Sequence, residues 1–241
     1  MVVKSELKLI KNLQQKKYRN ENGLFVMEGK KAVEELLESG FKVYKLFSTG
    51  QELQGSKGTA VETISMKDLK QISSLKNPNG VLGVFHKKTV SKIKMEAWTV
   101  VLDGVQDPGN LGTIIRLCDW FGIEDLICSN ETVDCYNPKV VQATMGSIAR
   151  VNIFYTDLTD FLNATKVTVY GTFMEGERIH KTSLPEKGIL VMGNEGNGIS
   201  ETIRKLCDHE ISIPQFGKKV TESLNVATAT AIFLNEIKRG S

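Results

Sequence analysis

The chain has 241 residues, of which 41% are hydrophobic and 24% are charged. These values are ordinary for a globular protein of one large or two modest domains, and they argue against a disordered chain. No apolar run approaches the roughly 18 residues of a membrane span, and the first residues lack the apolar core of a secretory signal, so we expect a cytoplasmic protein with no membrane partner. The four cysteines lack zinc-ligand spacing, so we expect reduced thiols and no metal site.

The two parts of the sequence differ in charge. Residues 1–98 carry 18 Lys and Arg against 10 Asp and Glu, a net charge of +8, whereas residues 99–241 carry 13 against 18, a net charge of −5. This asymmetry indicates a division of labour between the two parts.

The basic part predicts a small α/β unit. A strand, a helix and a strand that follow one another favour a parallel sheet. A lysine-rich run then ends near Trp98 and predicts a linker, so the expected division is a domain at 1–90, a linker at 91–98 and a domain at 99–241. The predicted elements in chain order are an amphipathic helix (5–19), a strand (24–29), a helix (30–40), a strand (42–49) and, after a Pro-Asn-Gly turn, another strand (81–85).

The acidic part alternates strands with helices, which predicts a parallel sheet covered by helices on both faces. In such sheets, ligands bind at the carboxyl ends of the strands. The predicted elements in chain order are a strand (99–105), a helix from Asn110, a strand (125–129), a helix (138–149), strands (151–154, 168–173 and 188–193), a helix from Ser200, a strand (209–214) and a terminal helix (223–238).

The turn after the first of these strands, D-G-V-Q-D-P-G-N-L-G-T-I-I-R, could bind pyrophosphate at the start of its helix. Its glycines have G-x-x-G spacing, however, which matches neither the dinucleotide fingerprint nor a nucleotide P-loop. Asn110 is a candidate cap for the helix. Arg116 either pairs with Asp119 on the surface or points at an anionic ligand.

Two further turns carry more polar residues and glycines than a simple connection needs. The run G-N-E-G-N-G, 193–198, lets the backbone approach a ligand closely, or it forms a tight turn before a helix that Ser200 caps. Ser223, Asn225, Thr228 and Thr230 interrupt the apolar terminal helix, where Ser223 is a candidate cap. The alanines of this helix suit a close approach in a core or at a dimer face.

Together, the three segments resemble the three motifs of the SpoU/TrmH family of RNA ribose 2′-O-methyltransferases, part of the SPOUT class. The resemblance covers roughly residues 99–241. It rests on D-P-G-N-L-G with Arg116, on V-M-G-N-E-G with Gly198, and on Ile213-Pro214 with S-L-N-V at 223–226. Residues 1–90 resemble, more loosely, the ribosomal-protein-like RNA-binding domain that many members carry in front.

The resemblance implies a trefoil knot in the parallel-sheet domain, a homodimer with the active site near the subunit interface, and methylation of RNA by S-adenosylmethionine. Ribosomal RNA is the preferred substrate, and transfer RNA is the alternative. The implied cofactor-binding residues are Thr172, Gly193, Asn194, Gly196, Ile213, Pro214 and Leu224. The implied catalytic residues are Asn110, Arg116, Glu195, Ser223 and Asn225, with Glu195 either fixing its loop or serving a purely structural role. Candidate RNA contacts in the basic domain are Lys16, Lys17, Arg19, Lys30 and Lys31; the alternative for each of them is a solvated charged surface.

The sequence departs from the family pattern at one loop. Five residues separate Gly217 from Ser223 where about three are expected, and Gln215 replaces a usual methionine. Two rival functions stay open at this point: a nucleotide-dependent oxidoreductase that uses the first turn alone, and an RNA-binding protein that has lost catalysis.

Overall fold

The computed structural model describes residues 3–55, 58–89, 92–218 and 222–239. The chain divides into two compact units, which we call the first unit (Met1–Thr89 with Asp134–Arg150) and the second unit (Val90–Val133 with Val151–Ser241). No sequence pattern indicated that 134–150 would pack with the first unit. The domain boundaries drawn from the sequence stay a prediction.

The described α-helices and strands mostly lie where the sequence predicts them, but a strand at Val61–Thr63 and two helices, at Met66–Ile72 and Leu158–Ala164, were missed. The helices are α1 (Lys4–Asn12), α2 (Lys16–Asn22), α3 (Lys30–Glu38), α4 (Met66–Ile72), α5 (Pro108–Trp120), α6 (Pro138–Thr144), α7 (Leu158–Ala164), α8 (Glu201–Arg204) and α9 (Val226–Arg239). The strands are β1 (Leu24–Glu28), β2 (Val43–Ser48), β3 (Val61–Thr63), β4 (Val81–His86), β5 (Thr99–Asp103), β6 (Asp125–Cys128), β7 (Asn152–Tyr155), β8 (Val169–Arg178), β9 (Ile189–Gly193) and β10 (His209–Ser212).

The sheet of the first unit is mixed, so the predicted parallel sheet was wrong. Its strand order is β1-β4-β2-β3, with β4 antiparallel to both β1 and β2. Strands β1 and β2 therefore run in the same direction, as a helical crossover requires, but β4 lies between them. Hydrophobic periodicity shows where a strand lies and carries no information on which strand becomes its neighbour.

The helix predicted over 5–19 is two helices, and the side chain of Arg19 occupies the break between them. The Nη1 group of Arg19 donates to the carbonyl oxygens of Leu13 (2.9 Å) and Gln14 (2.8 Å), which the break releases from helical hydrogen bonding. Its Nε and Nη2 groups donate to Oδ2 of Asp134 at 3.0 and 2.6 Å. Arg19 is only 2% exposed, so it is a structural residue and not the RNA contact that the sequence suggested.

The sheet of the second unit is parallel throughout, as predicted, with the strand order β10-β8-β9-β5-β6-β7. Neighbouring strands β5 and β9 end in register, because Asp103 pairs with Gly193, and β8 lies on the other side of β9. The loops that follow these strands therefore leave the same edge of the sheet. The trefoil knot stays a prediction, and none of the described helices is long and apolar enough to span a membrane.

We predict that Arg19→Ala destabilises the protein by about 3–5 kcal/mol, because it removes the ion-pair partner of Asp134, whose side chain is only 10% exposed, and leaves the carbonyl oxygens of Leu13 and Gln14 without their donor. The free energy of unfolding, measured by urea denaturation, checks this. Lys17→Ala is the matched control on the same helix. Lys17 is exposed and pairs only loosely with Glu21, so its loss should change the free energy by less than about 0.5 kcal/mol. A change below about 1 kcal/mol for Arg19→Ala would contradict the role assigned to it.

Candidate active site

The first and second polar loops are joined by hydrogen bonds at the ends of β5 and β9. The side chain of Asn194 donates to the carbonyl oxygen of Gly104 (2.6 Å), and the backbone N–H of Ser200 donates to Oδ2 of Asp103 (2.7 Å). The two loops thus form one continuous surface at the edge of the sheet. Ser200 makes no side-chain cap to α8, although the sequence suggested one.

The carboxylate of Glu195 holds the first loop in place. Its Oε2 accepts a hydrogen bond from the backbone of Gln106 (3.1 Å), and its Oε1 accepts from the backbone of Asp107 (3.0 Å) and from Nδ2 of Asn110 (3.0 Å). Partial burial raises the pKa of Glu195, but these hydrogen bonds together outweigh it and set the pKa below the ordinary value of 4.5. Glu195 is therefore ionised at neutral pH and serves as an acceptor.

Asn110 and Asn225 extend this contact to the third loop. Oδ1 of Asn110 accepts from Nδ2 of Asn225 (2.8 Å), and Oδ1 of Asn225 accepts from the backbone N–H groups of Ala227 (3.0 Å) and Thr228 (3.2 Å). We call the chain Glu195–Asn110–Asn225 the motif relay. It brings together three of the five predicted catalytic residues, one from each motif.

The structure corrects two capping assignments. Asp107, not Asn110, caps α5, since its Oδ1 accepts from the backbone N–H of Asn110 (2.8 Å). Asn225, not Ser223, caps α9, which begins at Val226. In both cases the capping residue is the one immediately before the first residue of the helix, and the expected residue does not lie at that position.

The second loop folds back on itself around its glycines. The backbone groups of Asn194 and Gly198 exchange two hydrogen bonds (2.9 and 3.0 Å), and Gly198 has a φ of +68°. A Cβ added to Gly193 would lie 2.2 Å from the carbonyl carbon of Gly198, so no side chain fits there. The glycine at 193 is therefore required by the packing of the loop against itself, which agrees with the tight turn, one of the two alternatives that the sequence left open.

The three loops surround a cavity of about 670 Å³. All seven predicted cofactor-binding residues line it: Thr172, Gly193, Asn194, Gly196, Ile213, Pro214 and Leu224. Further residues line the cavity that were not predicted as site residues, among them Phe173, Met192, Ile199, Arg204 and Phe233. Met192 lies within the second motif and Phe173 adjoins Thr172, so both could have been found from the residues already singled out, but Arg204 lies in a segment without any motif signal.

The remaining predicted residues lie apart from the motif relay. Ser223 is exposed and lines the cavity, together with Glu195. Arg116 is exposed on α5 and does not belong to the cavity lining.

Of the long loop before Ser223, residues 219–221 lie outside the described residues. Lys16, Lys17, Lys30 and Lys31 are exposed on the first unit, and their contact with RNA stays a prediction.

Comparison with known proteins identifies the family. Residues 97–235 match the SpoU rRNA Methylase family. The chain belongs to this family. The methylase match spans all three polar loops, so the resemblance inferred from their motifs is confirmed. Residues 4–83 match the MRM3-like substrate binding domain, which lies within the first unit.

Relatives of this SpoU methylase align with it over nearly its whole length. The 23S rRNA (guanosine(2553)-2′-O)-methyltransferase RlmP of Bacillus subtilis is 29% identical over 95% of this chain and 94% of its own. The structure of a protein assigned to the TrmH family of RNA methyltransferases from Porphyromonas gingivalis is 36% identical, with a TM-score of 0.91 over 100% of both chains. An AdoMet-bound rRNA methyltransferase from Sinorhizobium meliloti is 33% identical, with a TM-score of 0.89 over 100% of this chain and 96% of that one.

The pKa of Glu195 predicts how stability depends on pH. Because its folded-state pKa is lowered, its hydrogen bonds stabilise the fold above the unfolded-state value of 4.5, and this contribution is lost as the pH falls through the lower folded-state pKa. The difference in the free energy of unfolding between the wild type and Glu195→Gln should therefore be largest near about pH 6–7 and shrink below about pH 4.5. Denaturation curves across this range measure it.

Glu131→Gln, at an exposed carboxylate, is the control and should give a smaller and flatter difference. A Glu195→Gln difference that grows as the pH falls would contradict the acceptor role.

Proposed function

We propose that the protein transfers a methyl group from S-adenosylmethionine to a ribose 2′-hydroxyl of ribosomal RNA. One observation carries the proposal: the motif relay joins the three loops beside a cavity that all seven predicted cofactor-binding residues line. The names of the relatives agree, since one acts on 23S rRNA at a 2′ oxygen and another has AdoMet bound. A cytoplasmic location is part of the same proposal.

The cavity suits S-adenosylmethionine in size and chemistry. Its volume lies within the roughly 300–1,000 Å³ of small-molecule sites. Met192, Ile199 and Phe233 supply apolar walls for the flat adenosine, and the loop 193–198 exposes backbone groups that can hold its polar edges. When bound there, the cofactor supplies an electrophilic methyl group on a positively charged sulfur.

The residues of the motif relay act as positioning residues in this proposal. Asn110 uses its side-chain donor and acceptor within the relay, and Asn225 donates to Asn110 while its acceptor caps α9. Glu195 accepts three hydrogen bonds from the first loop. Groups engaged in this way hold the loops in fixed positions. Such fixed loops present their remaining backbone groups to ligands without a reorganisation cost.

Arg116 and Ser223 are the residues proposed to contact the reacting groups. None of the three histidines lies within a motif, so no imidazole base is evident from the sequence. A guanidinium stays protonated, which makes it a poor base and a good partner for anions. We assign to Arg116 the stabilisation of the developing alkoxide and the binding of the adjacent phosphate, and to Ser223 a hydrogen bond near the same oxygen.

A homodimer explains why Arg116 lies outside the cavity lining. Arg116 and Trp120 are one turn apart on the exposed face of α5, and Trp120 is 84% exposed, which is unusual for a large aromatic residue. We propose that a second copy of the chain covers this face. Its cavity would then receive Arg116 of the first copy.

Methylation can be tested by incubating the protein with labelled S-adenosylmethionine and RNA from a strain that lacks the gene, and then mapping the modified ribose. We expect label at a ribose of ribosomal RNA. Arg116→Lys keeps the charge but loses the planar fork, so we expect a rate lower by about 100-fold or more. Arg178→Lys, at another exposed arginine, is the control. Label on transfer RNA would support the alternative substrate, and binding of NAD without label would refute methyl transfer.

The dimer proposal predicts complementation between two inactive variants. Arg116→Ala and Ser223→Ala subunits, each inactive alone, should regain about a quarter of the wild-type activity per subunit when mixed, because half of the dimers are mixed and each has one intact site. Labelled methyl incorporation measures the recovery, and sedimentation confirms the dimers. If mixed dimers form and stay inactive, Arg116 and Ser223 do not meet across the interface.

A further inference from the structure

A single positive charge borders the cavity of the second unit. Among the described lining residues, Arg204 at the end of α8 is the one cation, whereas Glu195, Glu201 and Glu222 are acidic. Glu195 is already engaged in the motif relay. Any anionic group of a ligand in this cavity thus has Arg204 as its only charged partner in the part of the lining that the structure describes.

Two contacts hold the guanidinium of Arg204 in one plane. Its Nε and Nη2 groups donate to the two carboxylate oxygens of Glu210 on β10, at 2.7 and 2.8 Å. Its Cζ atom lies 4.6 Å from the centroid of the Phe173 ring, which also lines the cavity. A guanidinium has five N–H groups, so three are left after the pair with Glu210, two of them on Nη1.

The ion pair does little for stability, because the side chain of Arg204 is 44% exposed and that of Glu210 is 37% exposed. An arginine that is oriented by a carboxylate and an aromatic ring, and that has N–H groups left over, is instead well suited to bind a second carboxylate. S-adenosylmethionine has one carboxylate, on its amino-acid part. Its ammonium and sulfonium groups match the acidic residues of the lining.

We infer that Arg204 binds the carboxylate of S-adenosylmethionine, with Glu210 and Phe173 as the positioning residues that orient its guanidinium. This inference rests on the proposed function. The contact between Arg204 and the carboxylate makes the site selective for a ligand with an intact amino-acid part over one that has only the adenosine and sulfur parts.

Calorimetry with three ligands tests the inference: S-adenosylmethionine, its decarboxylated analogue, and 5′-methylthioadenosine, which lacks the whole amino-acid part. Arg204→Ala should weaken S-adenosylmethionine binding by about 10- to 100-fold, since it removes hydrogen bonds between charged groups. Binding of the other two ligands should change less than about threefold, so the preference for the carboxylate is lost. Arg204→Lys should fall between the wild type and Arg204→Ala.

Arg239→Ala is the matched control, because it removes an exposed arginine and its ion pair with Glu236 outside the cavity lining, and it should leave all three affinities unchanged. Equal weakening of the three ligands by Arg204→Ala, or no weakening at all, overturns the inference. Arg204→Gln repeats the test with a side chain that maintains more of the packing on Phe173. If the wild type binds none of the ligands, the proposed function itself fails, and this result differs from both outcomes for Arg204.

Discussion

The architecture of the site depends on one ionised carboxylate, that of Glu195, which accepts hydrogen bonds from three N–H groups of the first loop. Glu195 follows β9, yet its acceptors are filled by the loop after β5, 85 to 89 residues earlier in the chain. This contact is possible because β5 and β9 are parallel neighbours that end in register. The sheet brings the loops together, and the carboxylate fixes their positions. A neutral side chain could not accept from all three donors with the same strength.

Asparagine at 110 and 225 follows from the same constraint. Each position needs a donor toward one neighbour and an acceptor toward another, and a primary amide is the short side chain that provides both. An aspartate at 110 would place a second negative charge beside Glu195 and remove the donor, so the relay would lose a hydrogen bond and gain a repulsion. The relay therefore requires a side-chain amide at both positions, because an amide offers a donor and an acceptor together. The short side chain of asparagine suits the distance between the loops.

The sequence predicted those features that local patterns determine. The parallel strands of the second unit appeared as apolar runs, and six of the seven predicted cofactor-binding residues, all of which line the cavity, lie within the second and third motifs. The insertion of β4 between β1 and β2 could not be predicted, because strand order depends on contacts between distant segments. For the same reason Arg19 resembled its exposed lysine neighbours in sequence, although Asp134, 115 residues away, makes it a buried structural residue.

Within the site, Arg204 is a further residue whose position could not be predicted from the local sequence. In the sequence it is one basic residue on a short polar helix, which usually means a solvated surface. Its position beside the cavity is set by Phe173 on β8 and by Glu210 on β10, so no local pattern could distinguish it. The residues of the motif relay thus hydrogen-bond to one another, whereas Arg204 has N–H groups beyond its pair with Glu210, and Arg116 and Ser223 are exposed. A pocket that is rigid without its ligand, with a few charged groups still accessible, spends little free energy on ordering when the ligand binds.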